Sequence, residues 1–514
     1  MNLSIPETWQ TTKLTELAIY VLGGDWGKDA DFESPDYTTA LCIRGAEFRN
    51  WNEDKGSTAS FRKIKKSSLA NRVLKDGDIL VEISGGGPDQ PVGRTVLIDK
   101  VALSRNPNIP KICTNFVRLL RTAGKIDSRF INSYLTFFYA SGEIRDYQAG
   151  SNNLRNLKFN DYLGIDIPIP PLNEQHRIIA KVEELFSELD KGIENLKTAK
   201  AQLKVYRQAL LKHSFEGKLT AQWRAANQDK LETADALMKR IQQERAQHFQ
   251  QQLANWEATG GSKPKAPKEL PPLSAEELAD LPKLPKGWCW VKLGQLTWSV
   301  KDGPHFSPKY VEKGVPFISG GNVRPEGVDF NKVKYISKEL HEELCKRCKP
   351  EVGDVLYTKG GTTGIARVNT YNEDFSVWVH VAVLKLMAVV KPFYLQHVLN
   401  SSFCYSQSQK YTHGVGNQDL GLTRMVNIVL AICSTDEQDE VIKVIDDKMS
   451  VIDQLDQTIT TSLQQANALR QSILKKAFSG QLVPQDPNDE PASTLLARII
   501  AEQQSQLKQK THKN

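Results

Sequence analysis

A segment that returns 263 residues later decides what this 514-residue chain can fold into. NEQHRIIAKVEELFSELDKGIENLKTAKAQLKVYRQALLKHSFEGKL begins at Asn173, and DEQDEVIKVIDDKMSVIDQLDQTITTSLQQANALRQSILKKAFSGQL begins at Asp436. The offset is 437 − 174 = 263 for Glu174/Glu437, and it holds without a gap through Arg207/Arg470, Gln208/Gln471, Phe215/Phe478, Gly217/Gly480 and Leu219/Leu482. From Glu174 to Leu219, 14 of 46 positions are identical, several times what unrelated segments share. Self-similarity of this kind marks a duplicated structural unit.

Each copy reads as one long helix. Val182, Leu189, Leu196, Leu203 and Leu210 are spaced by seven, with Leu185, Ala199 and Tyr206 filling most of the alternate seam; Ile445, Ile452, Ile459, Ala466 and Ile473 repeat the spacing. A seven-residue apolar period kept over several turns predicts a coiled coil rather than a helix lying on a globular core. Asn173 and Asp436 are the expected N-caps, and Gly217 and Gly480 the expected stops. At roughly 1.5 Å per residue, each helix spans on the order of 60 Å. Matching seams predict that the copies pack on each other, antiparallel, about a pseudo-twofold axis.

The repeat extends outward. ETADALMKRI from Glu232 resembles EPASTLLARI from Glu490, and PETWQTTKLTEL from Pro6 resembles PKGWCWVKLGQL from Pro285. Gly77-Asp78-Ile79-Leu80 answers Gly353-Asp354-Val355-Leu356, each followed by a glycine-rich turn. Between these anchors the halves diverge. Short β-type runs such as ALCIRG, DILVEIS, VPFISGG and DVLYTKGG predict a mixed α/β globule in each half. The expected fold class is α+β: two mixed α/β domains separated by a pair of long antiparallel coiled-coil helices, a pseudo-twofold tandem repeat. The expected boundaries are 1–170 and 285–434 for the globules, 171–219 and 435–482 for the long helices, 220–284 for a helical and Pro/Lys-rich linker, and 483–514 for a tail with a short helix.

Composition narrows the chemistry. No apolar run approaches the roughly 18 to 20 residues of a membrane span, and the opening MNLSIPETWQ lacks the regions of a signal peptide, so a cytoplasmic protein without membrane contact is expected. Seven scattered cysteines fit a reducing compartment, and the Cys345/Cys348 pair lacks the further ligands a zinc site needs. GxxxxGK[ST], a dinucleotide GxGxxG, HExxH and GxSxG are all missing, and Pro170-Pro171 and Pro271-Pro272 are followed by Leu rather than by the aromatic of an amino-methyltransferase. Asp36, Glu53 and Lys55 formally match a metal-dependent nuclease triad, but Glu53 and Lys55 sit in the loop-like run NWNEDKG.

Charge points to a polyanion. Residues 285–434 carry 18 Lys+Arg against 12 Asp+Glu (18 − 12 = +6), and residues 1–170 carry 22 against 20 (22 − 20 = +2), out of +7 for the chain. The positive excess lies on the globules. Basic residues cluster in Arg62-Lys63-Ile64-Lys65-Lys66 and among Lys332, Lys334, Lys338, Lys346, Arg347 and Lys349. Base choice needs side chains with hydrogen-bonding edges on accessible turns. The expected DNA-binding set is Ser84, Gly85, Gly86, Arg94, Ser151, Asn152 and Asn153 in the first globule, and Lys301, His305, Asn322, Lys359, Thr362, Thr363, Asn417 and Gln418 in the second; no catalytic or metal residues are expected.

Two divergent globules, each opening Pro-x-x-Trp-x-x-x-x-Leu and each followed by a Glu-Gln-headed helix ending Phe-x-Gly-x-Leu, resemble the specificity (S) subunit of type I restriction-modification systems. IPIPPLNEQHRIIAKVEELFSELD and LKKAFSGQLVPQDPNDEPASTLLARI are similar to that family's central and C-terminal conserved regions. The resemblance implies two target recognition domains that read the halves of a bipartite, asymmetric site on double-stranded DNA. It also implies recruitment of two methyltransferase (modification) subunits and of restriction/translocase subunits, with S-adenosylmethionine, ATP and Mg2+ on those partners and no cofactor in this chain. A single-chain nuclease and a coiled-coil scaffold that binds DNA without sequence preference are the other readings. The second copy departs from the pattern, with Val-Leu-Ala-Ile-Cys where the first has Ile-Pro-Ile-Pro-Pro.

Overall fold

The computed structural model describes residues 4–87, 90–150, 155–266, 270–414 and 418–511. Two compact units emerge, and the first is discontinuous: it comprises Met1–Lys197 with Thr460–Asn514, and the second is Thr198–Ile459. Each long helix, Leu172–Phe215 and Thr435–Phe478, gives one half to each unit. In the first unit Arg470 pairs with Asp190 and lies 4.5 Å from the centre of the Phe186 ring; in the second, Arg207 pairs with Asp453. Arg207/Arg470 and Asp190/Asp453 are both related by the 263-residue offset, so one ion pair is made twice and the helices run antiparallel.

The seams are unequal. Ile445, Ile452, Ile459, Ala466 and Ile473 are all buried, whereas the first helix buries only Val182 and Leu210 of its stripe and leaves Leu189, Leu196 and Leu203 half-buried. Tyr206, expected in the alternate seam, is 50% exposed, because a two-helix seam is too narrow to cover both of its edges.

Identities in the repeat concentrate at the helix ends, and the contacts there explain them. Gln175 is buried, accepts from the Asp127 N–H at 3.1 Å and donates to the Pro170 carbonyl at 2.9 Å. Gln438 accepts from the Lys391 N–H at 2.8 Å and donates to the Cys433 and Val389 carbonyls at 2.9 Å. Asp127 and Lys391 are the N-cap residues of helices Ser128–Ala140 and Pro392–Leu399, so each glutamine fastens the start of its long helix to a helix of the preceding globule. At the far ends, Phe478 lies 5.2 to 5.4 Å from the rings of Phe130, Tyr134 and Phe137 in the first unit, and Phe215 lies 5.7 Å from Tyr394 in the second.

Gly217 and Gly480 stop the helices with φ of +68° and +70°. The Lys218 N–H reaches the His213 carbonyl, and the Gln481 N–H the Lys476 carbonyl, both at 2.9 Å, which closes a Schellman turn at each end. A Cβ on Gly217 would fall 2.6 Å from Pro285 Cγ, and one on Gly480 would collide with Pro6. The Pro-x-x-Trp opening of each globule and the Phe-x-Gly-x-Leu ending of a helix are therefore two sides of one contact. At the other ends the helices begin at Leu172 and Thr435, so Asn173 and Asp436 lie within the first turn instead of capping it; the Ser434 hydroxyl accepts from the Glu437 N–H at 3.4 Å.

The globules share a topology that their sequences hide. In each, an opening strand pairs antiparallel with the strand that leads into the long helix: Gln10–Lys13 with Asp166–Ile169, and Cys289–Lys292 with Val429–Ile432. A four-stranded antiparallel sheet runs in the order Ala18–Gly23, Val117–Thr122, Ile79–Glu82, Thr95–Leu97, matched by Thr297–Asp302, Val381–Leu386, Val355–Thr358, Ala366–Val368. A mixed three-stranded sheet, Ser60–Lys65, Tyr37–Ile43, Lys111–Cys113, is matched by Lys334–Ile336, Val315–Ile318, Ser376–Val377. The repeated Gly-Asp has one role in both. Asp78 accepts from the Lys75 N–H at 2.6 Å and pairs with Arg121, while Asp354 accepts from the Glu351 N–H at 2.7 Å and pairs with Lys385.

Segment 220–284 is docked through its helical part. Leu237 and Ile241 of helix Ala234–Thr259 are buried in the second unit's core, and Arg245 donates to the Gly294, Gln295 and Thr297 carbonyls at 3.0 to 3.2 Å. Leu495 and Ile499 of the tail helix Ala492–Thr511 are buried in the first unit's core, in agreement with the outer repeat. Among the described residues, no helix is long and apolar enough to cross a membrane.

Gln438→Ala strips the Lys391 N–H and two carbonyls of their partner, at about 1–3 kcal/mol for each buried group left bare. The expected result is a lower denaturation midpoint, with amide-exchange protection lost first around Pro392–Leu399. An unchanged midpoint would show that the glutamine does not seat the second long helix.

Candidate nucleic-acid interface

In both globules the Gly-Asp strand runs into a glycine-rich loop, and ion pairs fix that loop from behind. Arg94 forks onto Glu82, with Nε 2.8 Å from Oε2 and a terminal nitrogen 2.6 Å from Oε1; that nitrogen also donates to the Gly45 carbonyl at 2.9 Å. The bond to Glu82 raises the guanidinium above its ordinary pKa. Ser84 donates to Asn156 at 2.5 Å. Gly85 is exposed with φ +104° and open space where a Cβ would stand, whereas a Cβ on Gly86 would fall 2.7 Å from the Gln90 carbonyl.

The second globule builds the same support from other residues. Asp302, buried, receives Arg347 at 2.7 Å, Lys359 at 3.4 Å and His305 at 3.4 Å. Lys359 has a side chain only 3% exposed, and its Nζ also lies 2.7 Å from Asp419. Its backbone carbonyl accepts from the Leu420 N–H at 2.8 Å, so the segment around Asp419 is stitched to the glycine loop. Thr363 is buried, with its hydroxyl 3.0 Å from Gln409 and 3.3 Å from Thr412. Asn322, also buried, accepts from the Ser319 N–H at 3.0 Å and donates to the Asp329 and Lys332 carbonyls at 3.1 and 3.2 Å.

The expected contact residues thus divide. Lys301, near the end of strand Thr297–Asp302, and the loop residues His305, Thr362 and Gln418 are exposed in the second globule, as Gly85 is in the first. Arg94, Lys359, Thr363, Asn322 and Gly86 hold those loops in shape, and Lys359 reaches no surface without abandoning two carboxylates. Ser151, Asn152, Asn153 and Asn417 lie outside the described residues. The supporting acids Glu82, Asp302 and Asp419 escaped sequence reasoning because nothing in the local pattern says that an acid far along the chain folds back onto a given cation.

Basic clusters are partly spent in the same way. Arg62 pairs with Asp29 and lies 4.2 Å from the centre of the Trp26 ring, and Lys334 lies 4.3 Å from that of Tyr310; Lys65, Lys66, Lys332, Lys338, Lys346 and Lys349 are exposed. In the nuclease-like set, Lys55 ends the short helix Trp51–Asp54 at φ +48° and pairs with Asp99 at 2.8 Å. Cys345 Sγ lies 3.5 Å from His341 Nε2, and burial pushes the Cys348 thiol up to about 12. No group of three or more His, Cys, Asp or Glu among the described residues is placed to hold a metal.

Comparison with known proteins finds likenesses to one family. Residues 6–203 match the type I restriction modification DNA specificity domain. The chain is 33% identical over 216 residues to the StySPI specificity subunit of Salmonella potsdam, a match covering 40% of this chain and 43% of that one. It is 22% identical to the EcoKI specificity subunit of Escherichia coli (strain K12) across 97% of this chain and 96% of that one. The fold is similar to the crystal structure of the HsdS subunit from Thermoanaerobacter tengcongensis, with a TM-score of 0.53 at 17% identity over 93% of this chain and 98% of that one. A DNA specificity domain match over residues 6–203, a relative aligned along nearly the whole length and a shared fold make this chain similar to the type I restriction enzyme specificity subunits.

Proposed function

We propose that this chain is the non-catalytic DNA-recognition subunit of a type I restriction-modification complex. Each globule reads one half of an asymmetric, bipartite duplex site. The paired helices keep the halves at a set spacing. The duplicated scaffold recruits two methyltransferase subunits, and restriction/translocase subunits complete the assembly; S-adenosylmethionine, ATP and Mg2+ act on those partners, in the cytoplasm. The observation that carries this reading is one sheet topology and one set of helix-end contacts made twice, bearing loops with unlike side chains. Equal partners need equal surfaces, and unequal half-sites need unequal loops. The net +6 of the second globule supplies attraction to phosphate.

Methylation mapping of DNA from cells carrying the complete system tests the reading: a bipartite motif with two unlike halves is expected, and methylation without a motif would refute it. One added heptad in each long helix lengthens the rod by about 10 Å. The motif should then change its spacer and keep its halves, since duplex geometry repeats about every 34–36 Å; an unchanged spacer would rule out the rod as the ruler.

Two lysines separate support from contact. Lys359→Ala takes a partner from the buried Asp302 carboxylate and should cost about 3–5 kcal/mol, read as a lower melting temperature. Lys301→Ala, at an exposed position, should leave melting unchanged and lower the slope of log affinity against log salt by about 1. The reverse pattern would show that Lys359, not Lys301, faces the duplex.

A further inference from the structure

A second loop beside each glycine-rich turn is held by the same backbone bonds in both globules, yet carries different side chains. In the first globule the Thr114 N–H donates to the Ile43 carbonyl at 3.0 Å, the Val117 N–H to the Thr114 carbonyl at 3.0 Å, and the Ile83 N–H to the Phe116 carbonyl at 2.9 Å. In the second, the Trp378 N–H donates to the Ile318 carbonyl at 2.8 Å, the Val381 N–H to the Trp378 carbonyl at 2.9 Å, and the Lys359 N–H to the His380 carbonyl at 2.9 Å. The donors and acceptors occupy matching places in the matched sheets, so residues 114–117 and 378–381 are one tight turn built twice. Its side chains read Thr-Asn-Phe in one globule and Trp-Val-His in the other.

What the turn presents is unusual for a structural loop. Phe116 is 56% exposed and Asn115 is exposed beside it. Leaving a phenyl ring in water forgoes the gain of burying it, and nothing in the fold requires the ring there, because Phe116 acts in the fold through its backbone carbonyl. Both residues border a cleft of about 570 Å³ whose other walls include Trp26, Arg49, Gln90 and Arg94. An aromatic face, an amide and the exposed Arg49 guanidinium around an open cleft suit the edge of a base pair: the Asn amide matches adenine N6 and N7, and an apolar ring matches the thymine methyl. In the second globule the corresponding place is taken by His380, whose ring stands against Gly360 and 4.8 Å from Trp378. Burial first, and the Lys359 ammonium second, hold that imidazole below its ordinary pKa, so near neutral pH it offers one donor and one acceptor.

The geometry points to these paired turns as the base-reading elements: Asn115 and Phe116 recognise an A·T-containing step in one half of the duplex site, and His380 recognises a base in the other. This rests on the DNA-recognition reading above and assigns it to residues that pattern reasoning passed over.

The test uses the chain assembled with its modification subunits, with selection of bound sequences from a random duplex pool. Asn115→Ala and Phe116→Ala should each relax preference about tenfold at one or two adjacent A·T positions of one half and leave the other half unchanged. His380→Ala should relax only that other half. Melting temperatures of the Asn115 and Phe116 variants should match the unaltered chain, since both side chains are exposed. Selection of the same sequence by all variants would overturn the assignment, as would loss spread evenly over both halves. If the unaltered assembly selects no sequence at all, the recognition reading itself falls, an outcome the variants do not produce alone.

Discussion

Everything in this fold depends on how the ends of two long helices are held. The two-helix seam buries the stripe of the second helix but leaves Leu189, Leu196 and Leu203 of the first half-buried. Security comes from the termini instead. A buried glutamine ties each helix start to the helix of the preceding globule, and a phenylalanine at each helix end enters a globular core. Because the helices are antiparallel, each unit receives one start and one end. Breaking a single clamp therefore disturbs a globule and the rod together.

The same economy appears in the loops. Backbone bonds and buried ion pairs define each loop's path, and they are drawn from whichever residues are at hand: Arg94 with Glu82 in one globule, Lys359 with Asp302 and Asp419 in the other. Fixing the path by groups that face inward frees the outward side chains to differ. That separation of support from display lets the outward side chains change without rebuilding the scaffold.

Much of this was legible beforehand, and the reason is physical. Helix periodicity survives in sequence because it is a local pattern, so the heptads at Val182 and Ile445, the stops at Gly217 and Gly480 and the antiparallel pairing were all readable. The Glu-Gln and Phe-x-Gly-x-Leu identities were visible, but their purpose was not, since the Asp127 and Lys391 amides that meet the glutamines lie 48 and 47 residues away. Tyr206 was misplaced because a heptad pattern does not say how wide the partner surface is. Arg94 and Lys359 were taken for contacts because a cation beside a glycine turn looks the same in sequence whether it faces a phosphate or a buried carboxylate.

What the sequence by itself determined was the duplication and the paired long helices, which follow from periodicity and self-similarity along the chain. Only the tertiary structure decided that two globules with little common sequence share one sheet topology, that Pro6 and Pro285 close on the glycines ending the helices, and which loop side chains are spent inward. Those facts depend on which distant atoms meet, and a hydrogen bond or an ion pair between residues far apart in the chain leaves no local mark in the order of its residues.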